Sequence, residues 1–482
     1  MTNLIVSDQK RLIIGMGQTG LSCARFLMAK GLSFDLCDTR DVFPNQADIE
    51  KEFPVARIYN GELDGKLLSQ YQELIVSPGI AIAEPAIQIA LKNGCRVRGD
   101  VDVFAEYVTK PIIAITGSNG KSTVTTLVGE ILSEAGHKPA VCGNIGIPVL
   151  DVLLNDDAYH CYVIELSSFQ LETTHHLAAE VACVLNLSED HMDRYDSMIA
   201  YHQAKHRIFQ GCRSIVTNRE DSLTQPLVSN SMPKRSFGLN LAENAVAARN
   251  QYSIGIKTPI SEDSSIEYLM YQQEYIFPVN ELKIKGRHNQ LNALAAIALV
   301  ESLPSQFKVT LEQLQRVLGR FTGLAHRCAW VAEDAGVQYF NDSKGTNVGS
   351  TLAAIEGLAS NDKKNIILIA GGVGKDQDFE PLVDACQSSV KQALLFGRDA
   401  MLIAKDLKSS TNVAVTDTLE QAFVMAKEKA LVGDIILFSP ACASFDQFSN
   451  YVKRGEFFEH LVSSFVTTGS TGSGALEGTD ER

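Results

Sequence analysis

Short apolar runs of strand length alternate with helical segments along most of this chain, and that alternation leaves few folds open. Two parallel strands need a crossover of a dozen or more residues, usually a helix, so a strand–helix–strand rhythm implies a doubly wound, mostly parallel α/β sheet. Residues 11–17 read as a strand, 19–30 as a helix and 33–38 as a second strand; 74–77 and 95–97 read as further strands, with 84–92 helical between them. A second set opens with the apolar run Pro111-Ile112-Ile113-Ala114-Ile115-Thr116. It continues through helix 121–134, strands 162–166 and 181–187, helix 198–209 and strand 214–217. Residues 219–284 are polar and punctuated, with alternating runs at 252–256 and 275–279 that suggest an antiparallel appendage before helix 289–302. A third set starts near Leu324, with strands 365–370, 393–396 and 434–439, helix 419–430 and a final helix over 445–464. Residues 467–482 are rich in Gly, Ser and Thr with almost nothing to bury, so a disordered tail is expected there.

A chain of 482 residues is too long for one hydrophobic core, and at roughly 150 residues per domain it divides into three. The expected division is a Rossmann-like domain over 1–100, a central domain of the phosphate-loop ATPase type over 101–323, and a second Rossmann-like domain over 324–466. No internal repeat is visible. With 43 Lys+Arg against 57 Asp+Glu, the formal charge of −14 argues against a nucleic-acid surface, which needs a concentrated basic face. It does not forbid an anionic ligand, which a few local donors can hold. The ten cysteines are scattered with no CxxC pair, which favours buried free thiols over zinc or redox motifs. No signal peptide and no membrane-length apolar run are visible, so a cytoplasmic, reduced setting is expected.

The turn after residue 116 is Gly117-Ser118-Asn119-Gly120-Lys121-Ser122-Thr123. A buried strand, a glycine-rich turn and a helix beginning at Lys121 form an anion site, because the turn's N–H groups converge on phosphate oxygens and the helix dipole adds positive potential. Lys121 can reach terminal phosphates and the Ser122 hydroxyl can ligate Mg²⁺. The full pattern GxxxxGK[ST] would need glycine at 115, where this chain has Ile115, so the loop is a shortened variant. Strand, GK[ST] and helix in the required order outweigh a mere helix-capping turn.

An earlier turn, Gly15-Met16-Gly17-Gln18-Thr19-Gly20, is a full GxGxxG after a strand, and Asp38 ends the next strand. That is a dinucleotide fingerprint, with the acid placed for a ribose hydroxyl. Alone it would favour NAD, yet the same loop would cradle any diphosphate, including that of a UDP-sugar. A ligand-free tight turn is the bland alternative.

Other candidates follow strand ends, which face the ligand crevice of a parallel sheet. Glu165 could ligate Mg²⁺ beside the phosphates, and His191 follows another strand as either a structural histidine or a ligand. Lys205, in Ala204-Lys205-His206-Arg207, would by itself read as a solvated helix lysine. Asn341-Asp342-Ser343-Lys344-Gly345-Thr346-Asn347 and the segment Ser439-Pro440-Ala441-Cys442-Ala443-Ser444-Phe445-Asp446-Gln447-Phe448 are dense in small polar residues. Such stretches suit ligand loops or plain tight turns.

Together these segments resemble the Mur ligase family, ATP-driven amide ligases of bacterial cell-wall precursor synthesis. The matching runs are 116–123, 165–170, 190–195, 286–292, His326-Arg327 and 341–347, and 439–448 points to a D-glutamate-adding branch. The resemblance implies that ATP phosphorylates the carboxylate of UDP-N-acetylmuramoyl-L-alanine and that D-glutamate's amine then displaces phosphate from the acyl phosphate. It implies nucleotide contacts from Gly117, Ser118, Asn119, Gly120, Lys121, Ser122, Thr123, Asn289, Asn292, Arg327 and Asp342. One Mg²⁺ would sit on Ser122 and Glu165. A second would sit near His191 and Lys205, the lysine carrying a carbamate made from CO₂. Thr19, Asp38, Thr39, Arg40, Ser77, Gly79 and Asn144 correspond to positions around the UDP-sugar. Lys344 lies near the reacting groups, and Thr346, Lys375, Ser444 and Tyr451 to the D-glutamate pocket, phenylalanine being frequent at the last. The first glycine loop would then hold a uridine diphosphate, and the enzyme is expected to act as a monomer. A folylpolyglutamate-synthetase-like ligase lacks a first domain like 1–100; an NAD-dependent oxidoreductase leaves 117–123 unemployed; a nucleotide-gated binding protein has no use for a metal set.

Overall fold

The computed structural model describes residues 9–43, 45–229, 231–240, 250–257, 265–360 and 363–469. Its strands form three sheets. The first is fully parallel, in the spatial order Ile58–Asn60, Asp35–Asp38, Arg11–Ile14, Glu73–Val76, Arg96–Arg98. Leu12, Ile13 and Ile14 are completely buried, as a central parallel strand covered on both faces must be. The strand order turns back at Arg11–Ile14, so this strand and Glu73–Val76 flank a topological switch point, where such sheets bind ligands.

The second sheet has nine strands, in the order Glu274–Pro278, Ile266–Tyr271, Gln251–Lys257, Lys234–Phe237, Ile215–Asn218, Val181–Val184, Ile112–Thr116, Cys161–Glu165, Pro139–Gly143. The expected small antiparallel part is present, and a parallel strand joins it to the central sheet. Lys234–Phe237 pairs parallel to Ile215–Asn218, and Gln251–Lys257 pairs parallel to it in turn; only Gln251–Lys257 with Ile266–Tyr271, and that strand with Glu274–Pro278, pair antiparallel. The segment extends the central sheet rather than standing apart. Hairpin connections are short enough to be seen as alternation, whereas the parallel extension depends on neighbours distant in sequence.

The third sheet runs Ala329–Asp334, Val337–Asn341, Ile435–Phe438, Ile366–Gly371, Val390–Phe396, Asn412–Thr416, and only its first pair is antiparallel. The last helix is Tyr451–Gly469 rather than 445–464. Residues before it spend their backbone groups elsewhere: Ala443 and Val373 exchange N–H···O bonds at 2.8 and 2.9 Å, and the Asp446 carboxylate accepts the Arg398 amide at 3.0 Å. The helix takes in 467–469, and the rest of the tail expected to be disordered lies outside the described residues.

By contacts the chain separates into two compact units. One holds the first two sheets, within residues up to 187, 197–282 and 291–321; the other holds the third sheet with 188–196 and 283–290. All ten cysteines are free and nine are buried, as expected for thiols used as small apolar groups. Among the described residues no helix is long and apolar enough to cross a membrane.

Candidate active site

In the first unit, the buried strand Ile112–Thr116 delivers the chain to the turn 117–120, and helix Lys121–Glu134 starts at once. Gly120 has φ +80°, and a Cβ there would lie 2.4 Å from Asn292 Oδ1, so the turn demands glycine twice over. The Asn119 N–H donates to Asn186 Oδ1 at 2.8 Å and the Asn186 amide donates back to the Asn119 carbonyl at 3.0 Å, clamping the loop. Lys121 Nζ curls onto the carbonyls of Gly117 and Ser118 at 2.9 and 3.0 Å. The Ser122 hydroxyl donates to Glu165 Oε2 at 2.5 Å, while Asn144 Nδ2 donates to Oε1 at 2.8 Å. A serine hydroxyl joined to a buried carboxylate at a helix N-terminus is an all-oxygen donor set suited to a hard divalent cation. Lys205 is 1 % exposed; its Nζ donates to the Gly117 carbonyl at 2.9 Å and the Thr116 hydroxyl at 3.3 Å, and lies 4.8 Å from the Tyr201 ring centroid. The solvated-lysine reading of Lys205 is therefore wrong: its helix turns it inward to the phosphate loop.

The first glycine turn opens on a cleft of about 520 Å³ in the same unit. A Cβ on Gly20 would fall 1.8 Å from the Gly15 carbonyl oxygen, so only glycine lets the helix start press against the loop. Thr19, Asp38, Thr39, Arg40, Ser77, Gly79 and Asn144 all line this cleft, so the residues expected around a UDP-sugar are brought together. Asp38 is not a waiting ribose acceptor. Its Oδ2 accepts the Met16 amide at 2.8 Å and Arg40 Nη2 at 2.8 Å, and its Oδ1 accepts Arg40 Nε at 2.7 Å and the Arg40 amide at 3.1 Å. Burial acts to raise its pKa, but these donors outweigh it and hold the carboxyl below its ordinary value.

In the second unit three loops are strapped into one surface. Gln377 Nε2 donates to the Gly374 carbonyl at 2.6 Å and to the Ala441 carbonyl at 3.3 Å, while its Oε1 accepts the Val348 amide at 3.0 Å. One side chain thus ties the loops after strands Val337–Asn341, Ile366–Gly371 and Ile435–Phe438. Lys375 and Asp376 both adopt left-handed backbone, φ +53° and +57°, a conformation that bulky residues hold only where the surroundings impose it. Lys375 Nζ reaches Asp190 Oδ1 at 3.0 Å. Lys344 Nζ lies 4.7 Å from the Tyr451 ring centroid, and the Ser343 hydroxyl donates to the Tyr451 carbonyl at 2.7 Å. Ser444 is buried at the loop 439–448. Asp342 accepts the Ser439 hydroxyl at 2.6 Å and the Cys328 amide at 3.0 Å; burial still pushes its carboxyl up to about 7.

Three stretches match known family descriptions: 9–99 "Mur ligase MurD-like, N-terminal domain", 115–300 "Mur ligase middle domain", and 326–442 "Mur ligase, glutamate ligase domain". The chain is 48% identical over 460 residues to the UDP-N-acetylmuramoylalanine--D-glutamate ligase of Pseudomonas syringae pv. tomato, covering 95% of this chain and 99% of that protein. It belongs to the Mur ligase family. The protein of the same name from Pseudomonas aeruginosa is 47% identical over 464 residues, covering 96% of this chain and all of that one. Among solved structures, the Thermotoga maritima UDP-N-acetylmuramate-alanine ligase aligns with a TM-score of 0.56 at 18% identity, over 95% of this chain and 99% of that one. The MurF ligase of the same organism, in complex with ADP, gives 0.58 at 14% identity, over 96% and 97%. At such identities the likeness concerns the three-domain Mur ligase fold.

The site residues expected from the family resemblance divide between the units. Gly117, Ser118, Asn119, Gly120, Lys121, Ser122, Thr123, Glu165, Lys205 and Asn292 lie in the first; His191, Asn289, Arg327, Asp342, Lys344, Thr346, Lys375, Ser444 and Tyr451 lie in the second. Three further residues stand beside these loops without having been singled out in the sequence. Tyr201, whose hydroxyl lies 3.1 Å from Ser118 Oγ, sits four positions before Lys205 on one helix face, a spacing that could have flagged it. Gln170 lines the cleft and donates to Asp100, whose carboxyl burial pushes up to about 6. Arg454 is fully buried under the third-domain loops, donating to the Ser343 carbonyl at 2.8 Å, and burial lowers its pKa to about 10. Gln170 ends the matching run 165–170, whereas nothing in the local pattern around Arg454 sets it apart from a surface residue.

Proposed function

We propose that this Mur ligase joins D-glutamate to UDP-N-acetylmuramoyl-L-alanine, with hydrolysis of ATP to ADP and phosphate, in the cytoplasm and as a monomer. The observation that carries the reading is the conjunction, in one unit, of a glycine-lined cleft of about 520 Å³ with a second glycine loop bearing Lys121, Ser122–Glu165 and Lys205. The 48% and 47% identical relatives bear the corresponding name. We place the domains at 1–100 for the UDP-sugar, 101–323 for ATP and 324–466 for the amino acid.

A carboxylate is a poor electrophile until one oxygen becomes a leaving group, so the first task is phosphoryl transfer from ATP to the substrate carboxylate. The amides of 117–120 and the helix N-terminus cradle the phosphates, and Lys121 neutralises charge that develops on the transferred group. Ser122 and Glu165 are the residues to hold one Mg²⁺, and His191 and Lys205 those for a second; bound there, the cations would neutralise phosphate charge. In the unmodified form described here Lys205 donates to the Gly117 carbonyl; as a carbamate it would become an acceptor and would have to leave that oxygen. Asn289, Asn292, Arg327 and Asp342 contact the nucleotide. Thr19, Asp38, Thr39, Arg40, Ser77, Gly79 and Asn144 orient the UDP-sugar. Lys344, Thr346, Lys375, Ser444 and Tyr451 hold D-glutamate so that its amine meets the acyl phosphate, the positioning that converts a bimolecular step into a local one.

The decisive assay is ADP release with ATP and Mg²⁺. It should require both UDP-N-acetylmuramoyl-L-alanine and D-glutamate, and should yield one amide product per ADP. ADP release that ignores either substrate would overturn the assignment.

A further inference from the structure

The second unit contains an ion pair for which the proposed chemistry has no stated use. Lys375 Nζ and Asp190 Oδ1 are 3.0 Å apart, and both side chains are largely removed from solvent, at 12 % and 9 % exposure. Asp190 is also aimed from two other directions. Its own chain donates the His191 amide to Oδ1 at 3.0 Å, and Asn347 Nδ2 donates to Oδ2 at 3.1 Å. The Asn347 amide cannot turn over freely, because its Oδ1 caps helix Val348–Leu358 by accepting the Ser350 amide at 2.8 Å. Its NH₂ face is thereby committed to the carboxylate. Lys375 is fixed with equal care by the left-handed backbone at 375 and 376 and by the Gln377 strap.

A buried ammonium beside a buried carboxylate is the complement of an α-amino acid, which carries a carboxylate and an ammonium on one carbon. We infer that Asp190 selects for the amine of the incoming amino acid: Lys375 takes one substrate carboxylate while Asp190 takes the neighbouring amino group. This rests on the reading of the Lys375 surface as the amino-acid pocket. Before binding, each protein charge is the partner of the other. On binding, one internal pair is exchanged for two pairs with substrate, so no charge is left alone in a buried place at either stage. A diacid without the amine satisfies Lys375 but draws that cation from Asp190, which keeps the Asn347 and His191 amide donors and a His191 ring nitrogen 3.6 Å away and receives no ammonium in return. The pair therefore rejects glutarate-like diacids, which share D-glutamate's carboxylates and chain length. That is discrimination by a carboxylate left without its ammonium partner in the wrong complex.

The test compares the KM for D-glutamate with the inhibition constant of glutarate competing against it, at saturating ATP and UDP-N-acetylmuramoyl-L-alanine. In Asp190→Asn, the D-glutamate KM should rise about 10- to 100-fold, the size expected for one charge-assisted bond, while glutarate should bind as well as before or more tightly. Lys375→Ala should weaken both ligands. Asp190→Glu should recover part of the D-glutamate affinity, and thermal melting of each variant confirms that it is folded. If Asp190→Asn weakens D-glutamate and glutarate by the same factor, Asp190 merely props Lys375; if it alters neither, the pair has no part in binding. Either result overturns the inference. Failure of D-glutamate to support turnover in the wild-type enzyme is a different outcome, and it removes the pocket reading itself.

Discussion

The two glycine turns at 15–20 and 117–123 share one local design, a buried parallel strand passing through a tight turn into a helix, yet their surroundings differ in chemistry. At the first, the Asp38 carboxylate that ends strand Asp35–Asp38 is spent on Met16 and Arg40. Around the second stand two lysines, a serine hydroxyl and a buried glutamate, all aimed at the loop. The first turn opens on a cleft with its acid already paired; the second gathers two lysines, a hydroxyl and a carboxylate about its loop. The lesson is that a glycine fingerprint reports a backbone shape that accepts phosphate, whereas the side chains delivered by other strands decide whether chemistry follows.

Four experiments would break or sharpen this contrast. The largest effect belongs to Lys121→Ala, which should lower turnover by a factor of about 10²–10³ or more while leaving the KM for the UDP-sugar substrate and the melting temperature nearly unchanged. Turnover within a few-fold of wild type would make the second loop as passive as the first.

Lys205→Ala should likewise lose most activity, and acetate should restore part of it if the working form is a carbamate supplying anionic oxygens to Mg²⁺. Full activity of Lys205→Arg would refute that role, because arginine remains a cation. Mass spectrometry of the enzyme kept in bicarbonate gives a reading independent of turnover.

At the first loop, Arg40→Ala should raise the UDP-sugar KM by about 10-fold, with the KM for ATP unchanged, since a charge-assisted contact is worth about 1.5–3 kcal/mol. Calorimetry should show no binding of NADH. Micromolar NADH affinity at this loop would reverse the comparison.

The last effect is on stability rather than turnover and concerns Asp342→Asn in the second unit. Burial lifts the folded-state pKa from an ordinary value near 3.8 to about 7, so the wild type loses stability from this group as pH rises through that interval. Asparagine does not titrate. The melting temperature of the variant relative to wild type should therefore climb between pH 4 and 7 and level off above it. At about 1.4 kcal/mol per pKa unit the ceiling is near 4 kcal/mol, or a shift on the order of 10 °C in a unit of this size. A flat difference across that range would mean that Asp342 is ionised in the fold.

Legibility followed how local each signal was. Strands such as Ile112–Thr116 and helix Lys121–Glu134 were visible because an unbroken apolar run and a GK[ST] turn are contiguous. Lys234–Phe237 was missed because a four-residue strand with polar residues has no unbroken apolar run to mark it, although it is paired on both sides. The start of the last helix was misplaced because 439–450 contains helix-compatible residues engaged elsewhere, Ala443 through its backbone with Val373 and Asp446 through its carboxylate with the Arg398 amide. The site divided the same way. Lys121 and Ser122 stand out by spacing alone; Lys205 looks like any helix lysine until its neighbours are known.

By itself the sequence determined the alternating α/β architecture, the two phosphate-accepting turns and the family, because apolar periodicity and glycine placement are written in neighbouring residues. Only the tertiary structure decided that Asp38 is neutralised by Arg40, that Lys205 is buried at the phosphate loop, that Gln377 straps three loops together, and that Asp190 faces Lys375 across 185 positions of chain. Apart from the Asp38–Arg40 pair, which is two positions apart and half open to solvent on the arginine side, those are meetings of groups that no local pattern encodes. Coulomb interactions among such groups depend on separation and burial, and both are set by the packing of elements far apart in sequence.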